Sequence, residues 1–279
     1  MPNRLYRTAG LTVACIAVGL SVVSTATRAE PLQLPSLKDP GQAQRLQEAD
    51  LQYQRYTLSP DTYFSNAGVK TPEWPCQVSS ALMESLTGTS NFSMGNGETG
   101  FGHSYSNIAV QPVSATCKNG KLDGEQELLY EAVRKAWGPG YQGSSQETGR
   151  VVATVENGKL IQRRELRRSV NRPQDGSAPR PGAPVAIVSS VESPEGKFID
   201  SVTILVNDEG QKFFLKHPVK TSQGIRLERS FYVGSKLISL DRTDADGKPD
   251  GLAVNYVGGE EKKQCFRQGK PADMKACPS

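Results

Sequence analysis

Three aspartates near the C-terminus have the spacing of a calcium loop. Asp244, Asp246 and Asp250 surround Gly247, and alternate carboxylates around a glycine turn converge on a hard cation in loops of the DxDxDG type. The first ligand position is occupied by Arg242, whose positive charge repels a cation. An Asp-Gly turn with carboxylates that cap backbone amides explains the same residues. We therefore expect no cofactor here, with weak calcium binding as the alternative.

Two further motifs are typical of enzymes but lack the context that enzymes need. Residues 95–100 spell a literal GxGxxG, yet no parallel strand precedes the motif and no helix follows it, as a dinucleotide site requires. Gly102, His103 and Ser104 resemble a nucleophile elbow, but Ser106 replaces the second glycine. We predict a glycine-rich hairpin loop at 95–100 and no catalytic site, so the protein is not expected to be an enzyme.

Four cysteines lie beyond the N-terminal segment. An even number of cysteines in an exported chain favours two disulfides, whereas a zinc site is disfavoured because the chain has no CxxC pair and two histidines. Of the three possible pairings, the sequence-local one suits a two-part chain best. It joins Cys76 to Cys117 and Cys265 to Cys277.

One cluster of basic residues stands out. Two pairs of arginines lie on the second strand of a hairpin that we predict around Asn157 and Gly158. A solvated strand face is the usual explanation of such a cluster, and a surface for an acidic partner is the functional alternative. The cluster comprises Arg163, Arg164, Arg167 and Arg168.

The N-terminus has the features of a cleaved signal peptide over residues 1–29. Basic residues precede an apolar run at 11–23, and small and polar residues lead to Ala29. We expect a mature periplasmic chain that begins at Glu30, with a lipoprotein site at Cys15 as an alternative. The apolar run is shorter than the roughly 20 residues of a spanning helix, so no transmembrane segment is predicted.

The charge balance excludes two classes of partner. Removal of residues 1–29 takes away three arginines and lowers the formal net charge from +4 to +1. A chain so close to neutral has no global attraction for nucleic acid or anionic lipid. Its 27 glycines and 18 prolines favour β structure rich in turns.

Two segments have the periodicity of helices. Residues 41–56 follow an N-cap and a proline at 39–40 and end before Pro60, and we expect their aromatic side to pack on the first domain. Residues 126–137 have apolar residues at i, i+3, i+4, i+7 and i+8 before a Gly-Pro-Gly stop. The apolar positions are Leu46, Ala49, Tyr53 and Tyr56 in the first segment, and Leu129, Ala132, Val133, Ala136 and Trp137 in the second.

The rest of the chain predicts a mainly β fold of antiparallel hairpins or a meander, with one or two short helices and two disulfides. Four prolines mark residues 171–184 as a linker. It would separate a lead-in and helix (30–60) and an N-terminal α+β domain (61–170) from a C-terminal antiparallel β domain (185–279). Strands are expected at 151–155, 159–170, 185–191, 197–206, 212–216, 225–233, 237–240 and 252–257.

A short unit of the form (N/D)GKxDG occurs twice, at 119–124 and at 246–251, and each copy precedes a tyrosine, Tyr130 or Tyr256. Asn-Gly and Asp-Gly supply the positive φ angles of tight turns, so the unit predicts a strand, a turn and a strand. With the export signal, it resembles the MORN/YwqK-like repeat proteins of Gram-negative bacteria. The resemblance covers residues 117–131 and 246–270.

Some members of that group resemble periplasmic immunity proteins that neutralise the phospholipase effectors of type VI secretion systems. The resemblance therefore implies an antitoxin that binds and blocks a secreted phospholipase. The alternative is a structural or calcium-binding β protein of the cell envelope. For the immunity function, the expected partner-binding residues are the four arginines with Trp74 and Tyr105 as apolar anchors.

Overall fold

A computed structural model describes residues 31–65, 73–95, 100–173, 177–191, 199–222 and 224–277. The predicted signal peptide and its cleavage site lie outside these ranges, as do residues 96–99 of the glycine-rich motif. The two strands that flank this motif pair antiparallel, with Met94 opposite Phe101. None of the helices in the described ranges is long and apolar enough to cross a membrane.

Nearly all strands of the described chain belong to one antiparallel sheet of fourteen strands, ordered β1-β2-β5-β6-β7-β9-β10-β11-β12-β13-β14-β15-β16, with β8 paired to β7. The strands β3 and β4 form a separate small hairpin. This architecture confirms the predicted antiparallel meander. The elements are α1 (Pro40–Leu58), α2 (Pro60–Tyr63), α3 (Ser80–Thr87), β1 (Phe92–Met94), β2 (Phe101–Ser114), β3 (Cys117–Lys118), β4 (Lys121–Leu122), β5 (Gly124–Gly138), β6 (Tyr141–Glu156), β7 (Lys159–Arg172), β8 (Arg180–Pro181), β9 (Val185–Val191), β10 (Ile199–Asn207), β11 (Gly210–Thr221), β12 (Gly224–Val233), β13 (Lys236–Thr243), β14 (Gly251–Val257), β15 (Glu260–Arg267) and β16 (Lys270–Ala272).

Asn-Gly pairs make two of the hairpin turns. Asn119 and Gly120 have φ angles of 53° and 74°, and Asn157 and Gly158 have 49° and 76°. Two successive residues in the left-handed region give a turn whose twist matches that of the flanking strands. The predicted turn at 119–120 and the hairpin around 157–158 are therefore confirmed.

The predicted helix at 126–137 is wrong, because these residues lie in β5. This strand pairs with β2 on one side and with β6 on the other along its length. Gln126, Leu128, Tyr130 and Ala132 are all buried, which is the two-residue period of a strand and not a helical period. The Ala, Leu, Glu, Arg and Lys residues of this segment favour a helix locally, but pairing on both edges overrides that preference.

The two longer helices cover opposite faces of the sheet. Leu82 and Leu86 of α3 pack on the side that carries Leu128, Tyr130 and Val151, which we call the α3 face. Leu46, Ala49 and Tyr53 of α1 pack on the other side, which we call the α1 face. The α1 face carries buried Leu166, Ala186, Val188, Val202, Ile204, Phe213 and Leu215.

Helix α1 confirms the helix predicted at 41–56, but its docking site differs from the prediction. The Asp39 carboxylate caps it by accepting the Gln42 N–H at 2.8 Å. The apolar side chains of α1 pack on β7, β9 and β10. Strands β9 and β10 follow residue 170, so α1 does not pack on the predicted first domain alone. The reason is that β9 and β10 present the larger set of small and branched apolar side chains on that face.

The sheet continues across residues 171–184. Strand β7 pairs directly with β9, with Arg164 opposite Val188, and β8 adds to the end of β7. Residues 174–176 lie outside the described ranges. The division into two domains stays a prediction. Because β7 and β9 are paired in one sheet, proteolysis in this segment would cut the connection between two neighbouring strands.

Both predicted disulfides are present. Cys76 is bonded to Cys117 and Cys265 to Cys277, with Cα–Cα distances of 6.1 and 5.6 Å. The first ties the segment before α3 to β3, and the second ties the C-terminal turn to β15. The first bond therefore fastens a peripheral segment to the small β3–β4 hairpin, and the second fastens one to the large sheet.

Candidate partner-binding site

The four arginines of β7 do not form one cluster. Side chains alternate along a strand, so Arg163 and Arg167 lie on the α3 face with Glu165, whereas Arg164 and Arg168 lie on the α1 face with Leu166. The sequence prediction of one basic surface is wrong for this reason. Each pair has its own set of contacts.

On the α3 face, Arg163 takes part in a buried charged cluster. The Tyr130 hydroxyl donates to Glu165 Oε1 at 2.5 Å, and Arg163 Nη2 lies 3.1 Å from Glu165 Oε2. Arg163 also donates to the Ser85 carbonyl of α3 at 3.1 Å. Burial raises the pKa of Tyr130 above its ordinary value of 10.0, and the adjacent Glu165 charge raises it further. The cluster fastens α3 to the sheet.

Arg167 extends this cluster toward β6. Its guanidinium lies 3.6 Å from Glu147, a carboxylate that also has Arg134 at 3.9 Å. Burial alone would lower the pKa of Arg167, but the charges of Glu165 and Glu147 outweigh burial and raise the pKa. Arg163 and Arg167 are thus held by internal carboxylates.

On the α1 face the other two arginines are more accessible. Arg164 lies 2.9 Å from Glu125, and Arg168 places its guanidinium 4.8 Å from the centre of the Phe64 ring. An exposed ion pair contributes about 0–1 kcal/mol, and a cation–π contact at the surface about 0.5–1 kcal/mol. These two side chains are positioned but remain within reach of solvent.

Trp74 lies in an aromatic groove of about 490 Å³ at the edge of the sheet, which we call the Trp74 groove. Phe64, which packs against the α1 core, and Trp74, which packs against the α3 core, both line the groove. The groove volume lies within the range of about 300–1,000 Å³ of ligand pockets. The remaining lining residues are Ala109, Val110, Gln111, Pro112, Leu129, Tyr130, Glu131 and Thr148.

Two features of the backbone hold this groove. The Cys76–Cys117 bond fixes the chain two residues after Trp74. Strand β2 has register shifts between Ser106 and Ala109 and between Pro112 and Ser114, on either side of the residues that line the groove. Bulges of this kind occur at sheet edges and re-aim side chains. The groove therefore combines a stapled segment with an irregular edge strand.

Tyr105 lies near the groove without lining it. Its ring packs on the α3 core and stands edge-on to His103, with 5.6 Å between ring centres. Its backbone N–H donates to Asn91 Oδ1 at 2.7 Å, and burial raises the pKa of its hydroxyl. Of the two predicted apolar anchors, the structure places Trp74 in a concave site and Tyr105 in the packing behind it.

The three aspartates of the calcium prediction do not converge. Asp244 Oδ1 accepts the backbone N–H groups of Asp246 and Lys248 at 3.0 and 2.9 Å, which closes the turn. Asp250 is buried and lies 2.7 Å from Arg226. Within the described residues, no group of three or more His, Cys, Asp or Glu side chains is placed to hold a metal ion.

The two histidines contact carboxylates or rings. His217 Nδ1 lies 2.8 Å from Asp200 Oδ2, and Arg45 of α1 lies 3.1 Å from the same oxygen. His103 lies between the rings of Phe92 and Tyr105, where burial lowers its pKa and the charge of Arg134 lowers it further. His217 therefore helps to dock α1, and His103 packs within the edge of the sheet.

Sequence reasoning missed Phe64 as a lining residue of the groove and Glu165 as the centre of the buried cluster. A signal for Glu165 was present, because it alternates with Arg163 and Arg167 on a predicted strand. Phe64 gave no such signal, since its place depends on how α2 ends beside the sheet.

The chain was also compared with known proteins. No family model, no curated protein and no solved structure matches it.

Proposed function

We propose that this chain is an exported, non-catalytic protein that binds a partner protein through the Trp74 groove. The observation that carries the proposal is the groove itself, which is lined by two aromatic side chains, Phe64 from the α1 core and Trp74 from the α3 core. Buried aromatic residues in well-packed pockets dominate the binding energy of protein interfaces. Two disulfides suit a chain that works in an oxidising compartment.

Rigidity supports a binding role. An inhibitor that orders its surface only upon binding loses about 0.5–1.5 kcal/mol for each immobilised side chain. Here the disulfide next to Trp74 and the buried contacts of Tyr130 hold the groove before a partner arrives. The groove is therefore preorganised for tight association.

The lining of the groove indicates what it would accept. Aromatic and aliphatic side chains form most of it, and Glu131 supplies one carboxylate at an exposed position. An apolar side chain of the partner would contact the aromatic and aliphatic lining, and a Lys or Arg next to it would pair with Glu131. Glu131 lies on β5, one of the strands that carry the (N/D)GKxDG resemblance.

The resemblance to periplasmic immunity proteins supplies the partner class. We propose a periplasmic antitoxin that occludes the active site of a type VI secreted phospholipase. In this function the four arginines of β7 are supporting residues, with Arg164 and Arg168 as the two that a partner could still reach.

A combined enzymatic and genetic experiment tests the proposal. The mature protein should abolish the activity of the phospholipase encoded next to its gene at a one-to-one ratio. Deletion of the gene should sensitise cells to kin that deliver this effector, and expression of the exported protein should restore resistance. Normal survival of the deletion strain, together with an uninhibited lipase, would show that the immunity function is wrong.

A further inference from the structure

A second surface lies on the α3 face beyond the reach of α3, over strands β9 to β13. Phe214 and Phe231 are direct cross-strand partners whose rings stack at 4.7 Å with an interplanar angle of 16°. Phe214 is 42% exposed, although its neighbours Phe213 and Leu215 are fully buried under α1. We call this surface the open face.

The open face has an apolar centre. Thr203 and Ile187 continue the row of Phe231 and Phe214 across β10 and β9 by direct cross-strand pairing. Val233, which is 36% exposed, lies two residues from Phe231 and therefore on the same side of β12. Stacked aromatic rings that remain accessible on the face of a sheet are typical of interface anchors.

Positive charge surrounds this centre. Lys216 and Lys220 alternate with Phe214 and Pro218 on β11 and share the side of the Phe214 ring, as does Lys212, whose ammonium group pairs with Glu209. Lys216 lies directly opposite Arg229 of β12. Asp241 pairs with Arg229 at 2.6 Å, while Lys216 has no carboxylate partner in the part of the chain that the structure describes.

Like charges directly opposite each other destabilise a sheet. An anionic group between Lys216 and Arg229 would remove that repulsion, and an adjacent apolar group would cover the Phe214–Phe231 stack. We infer that the open face binds an acidic protein surface in which Asp or Glu side chains flank an aromatic or aliphatic residue. The inference depends on the proposed function in one respect, which is that the partner is a protein.

The dimensions of the face suit a protein. Five strands about 4.8 Å apart and about eight residues of each strand give a flat patch of roughly 500 Å². A standard interface buries about 800 Å² on each partner, so the patch supplies the centre of one. Asp241 lies within the charged rim, which favours a mixed protein surface over the uniform negative charge of a bilayer.

The test uses a displayed library of random peptides, selected on the purified mature protein. Selected peptides should combine Asp or Glu with Phe, Trp or Leu. Their affinity should fall about tenfold in Lys216→Glu and in Phe214→Ser. Lys270→Glu makes the same change of charge on β16 and should leave the affinity unchanged, and urea unfolding checks that each variant is folded.

Three outcomes would overturn the inference. In the first, the selected peptides lack acidic residues or bind Lys216→Glu as tightly as the original protein. In the second, every peptide loses binding in Trp74→Ala and none in the open-face variants, which would leave the Trp74 groove as the binding site. In the third, vesicles with 30% phosphatidylglycerol bind the protein and lose binding in Lys216→Glu, whereas peptides do not bind.

Discussion

The sheet has two halves that use its two faces in opposite ways. In the half formed by β2, β5, β6 and β7, helix α3 covers a core that includes charged residues, with Glu165 and Glu147 almost fully buried. In the half formed by β7, β9, β10 and β11, helix α1 covers an apolar core on the other face. The other side of β9, β10 and β11 belongs to the open face, where Phe214 is 42% exposed.

Strand β7 belongs to both halves and shows how they are separated. Glu165 is buried in the α3 core, and the next residue, Leu166, is buried in the α1 core. Because neighbouring residues of a strand point to opposite sides, one segment can supply a charged residue to one core and an apolar residue to the other. Arg163 and Arg167 are therefore engaged by internal carboxylates, and we expect a partner to bind the surfaces that α1 and α3 leave accessible.

The largest expected effect is that of Glu165→Ala. This change leaves Arg163 buried without its carboxylate and Tyr130 without its acceptor, so we expect a loss of about 3–5 kcal/mol in the free energy of unfolding. Glu125→Ala is the matched control, since Glu125 pairs with Arg164 on the solvated side of the same strand and should cost less than about 1 kcal/mol. Equal costs for the two variants in urea unfolding would show that the α3 core does not depend on its charges.

Removal of each disulfide in turn measures how much it contributes to stability and to the protection of the segment that it holds. Loop-closure entropy gives about 4 kcal/mol for Cys76–Cys117, which spans 41 residues, and about 3 kcal/mol for Cys265–Cys277, which spans 12. We expect the first double Cys→Ser variant to be the less stable in urea unfolding. It should also be the only one that increases protease cleavage around Trp74. Cleavage there in the second variant instead would contradict this role of the first disulfide.

Leu166→Ala examines the α1 half alone. Its side chain is fully buried under α1, so truncation should cost about 2–5 kcal/mol through lost contacts and a cavity. We expect amide hydrogen exchange to accelerate in α1 more than in α3. Equal acceleration in both helices would mean that the two cores unfold as one unit.

A smaller effect concerns pH. Below about pH 10 the phenol of Tyr130 is neutral in both folded and unfolded chains. The stability that is linked to its raised pKa is therefore fully present there. Above pH 10 the unfolded chain releases this proton more readily, so stability falls as pH rises. We expect Tyr130→Phe to reduce the slope of stability between pH 10 and about 11.5 by up to about 1.4 kcal/mol per pH unit. An unchanged slope would show that Tyr130 ionises freely in the fold.

Much of the fold follows from local sequence signals. The turns at Asn119-Gly120 and Asn157-Gly158, the strands after residue 185, helix α1 and the disulfide pairing were all predictable from turn chemistry, periodicity and cysteine spacing. The identity of β5 was not, since Leu129, Ala132, Val133 and Ala136 satisfy a helical period, and the two-residue burial period of the strand appears only in the folded sheet.

The site was predictable only in part. Trp74 was among the predicted apolar anchors, a role that stays a prediction, and no local pattern reveals that Phe64 and Leu129 line the same groove. The split of the four arginines follows from strand alternation. The ion pairs of Arg163 and Arg167 with buried carboxylates do not, because they require knowledge of which face α3 covers.

The central claim, that the Trp74 groove is the partner-binding site, is tested most directly by calorimetric titration of the adjacently encoded phospholipase into the purified protein. We predict stoichiometric binding to the original chain and to Tyr141→Ala, a control at an exposed aromatic position at the start of β6. Trp74→Ala should weaken binding by at least about 2 kcal/mol, or roughly thirtyfold, while unfolding in urea at nearly the same midpoint. Unchanged affinity in Trp74→Ala, or no binding by the original chain, would contradict the account.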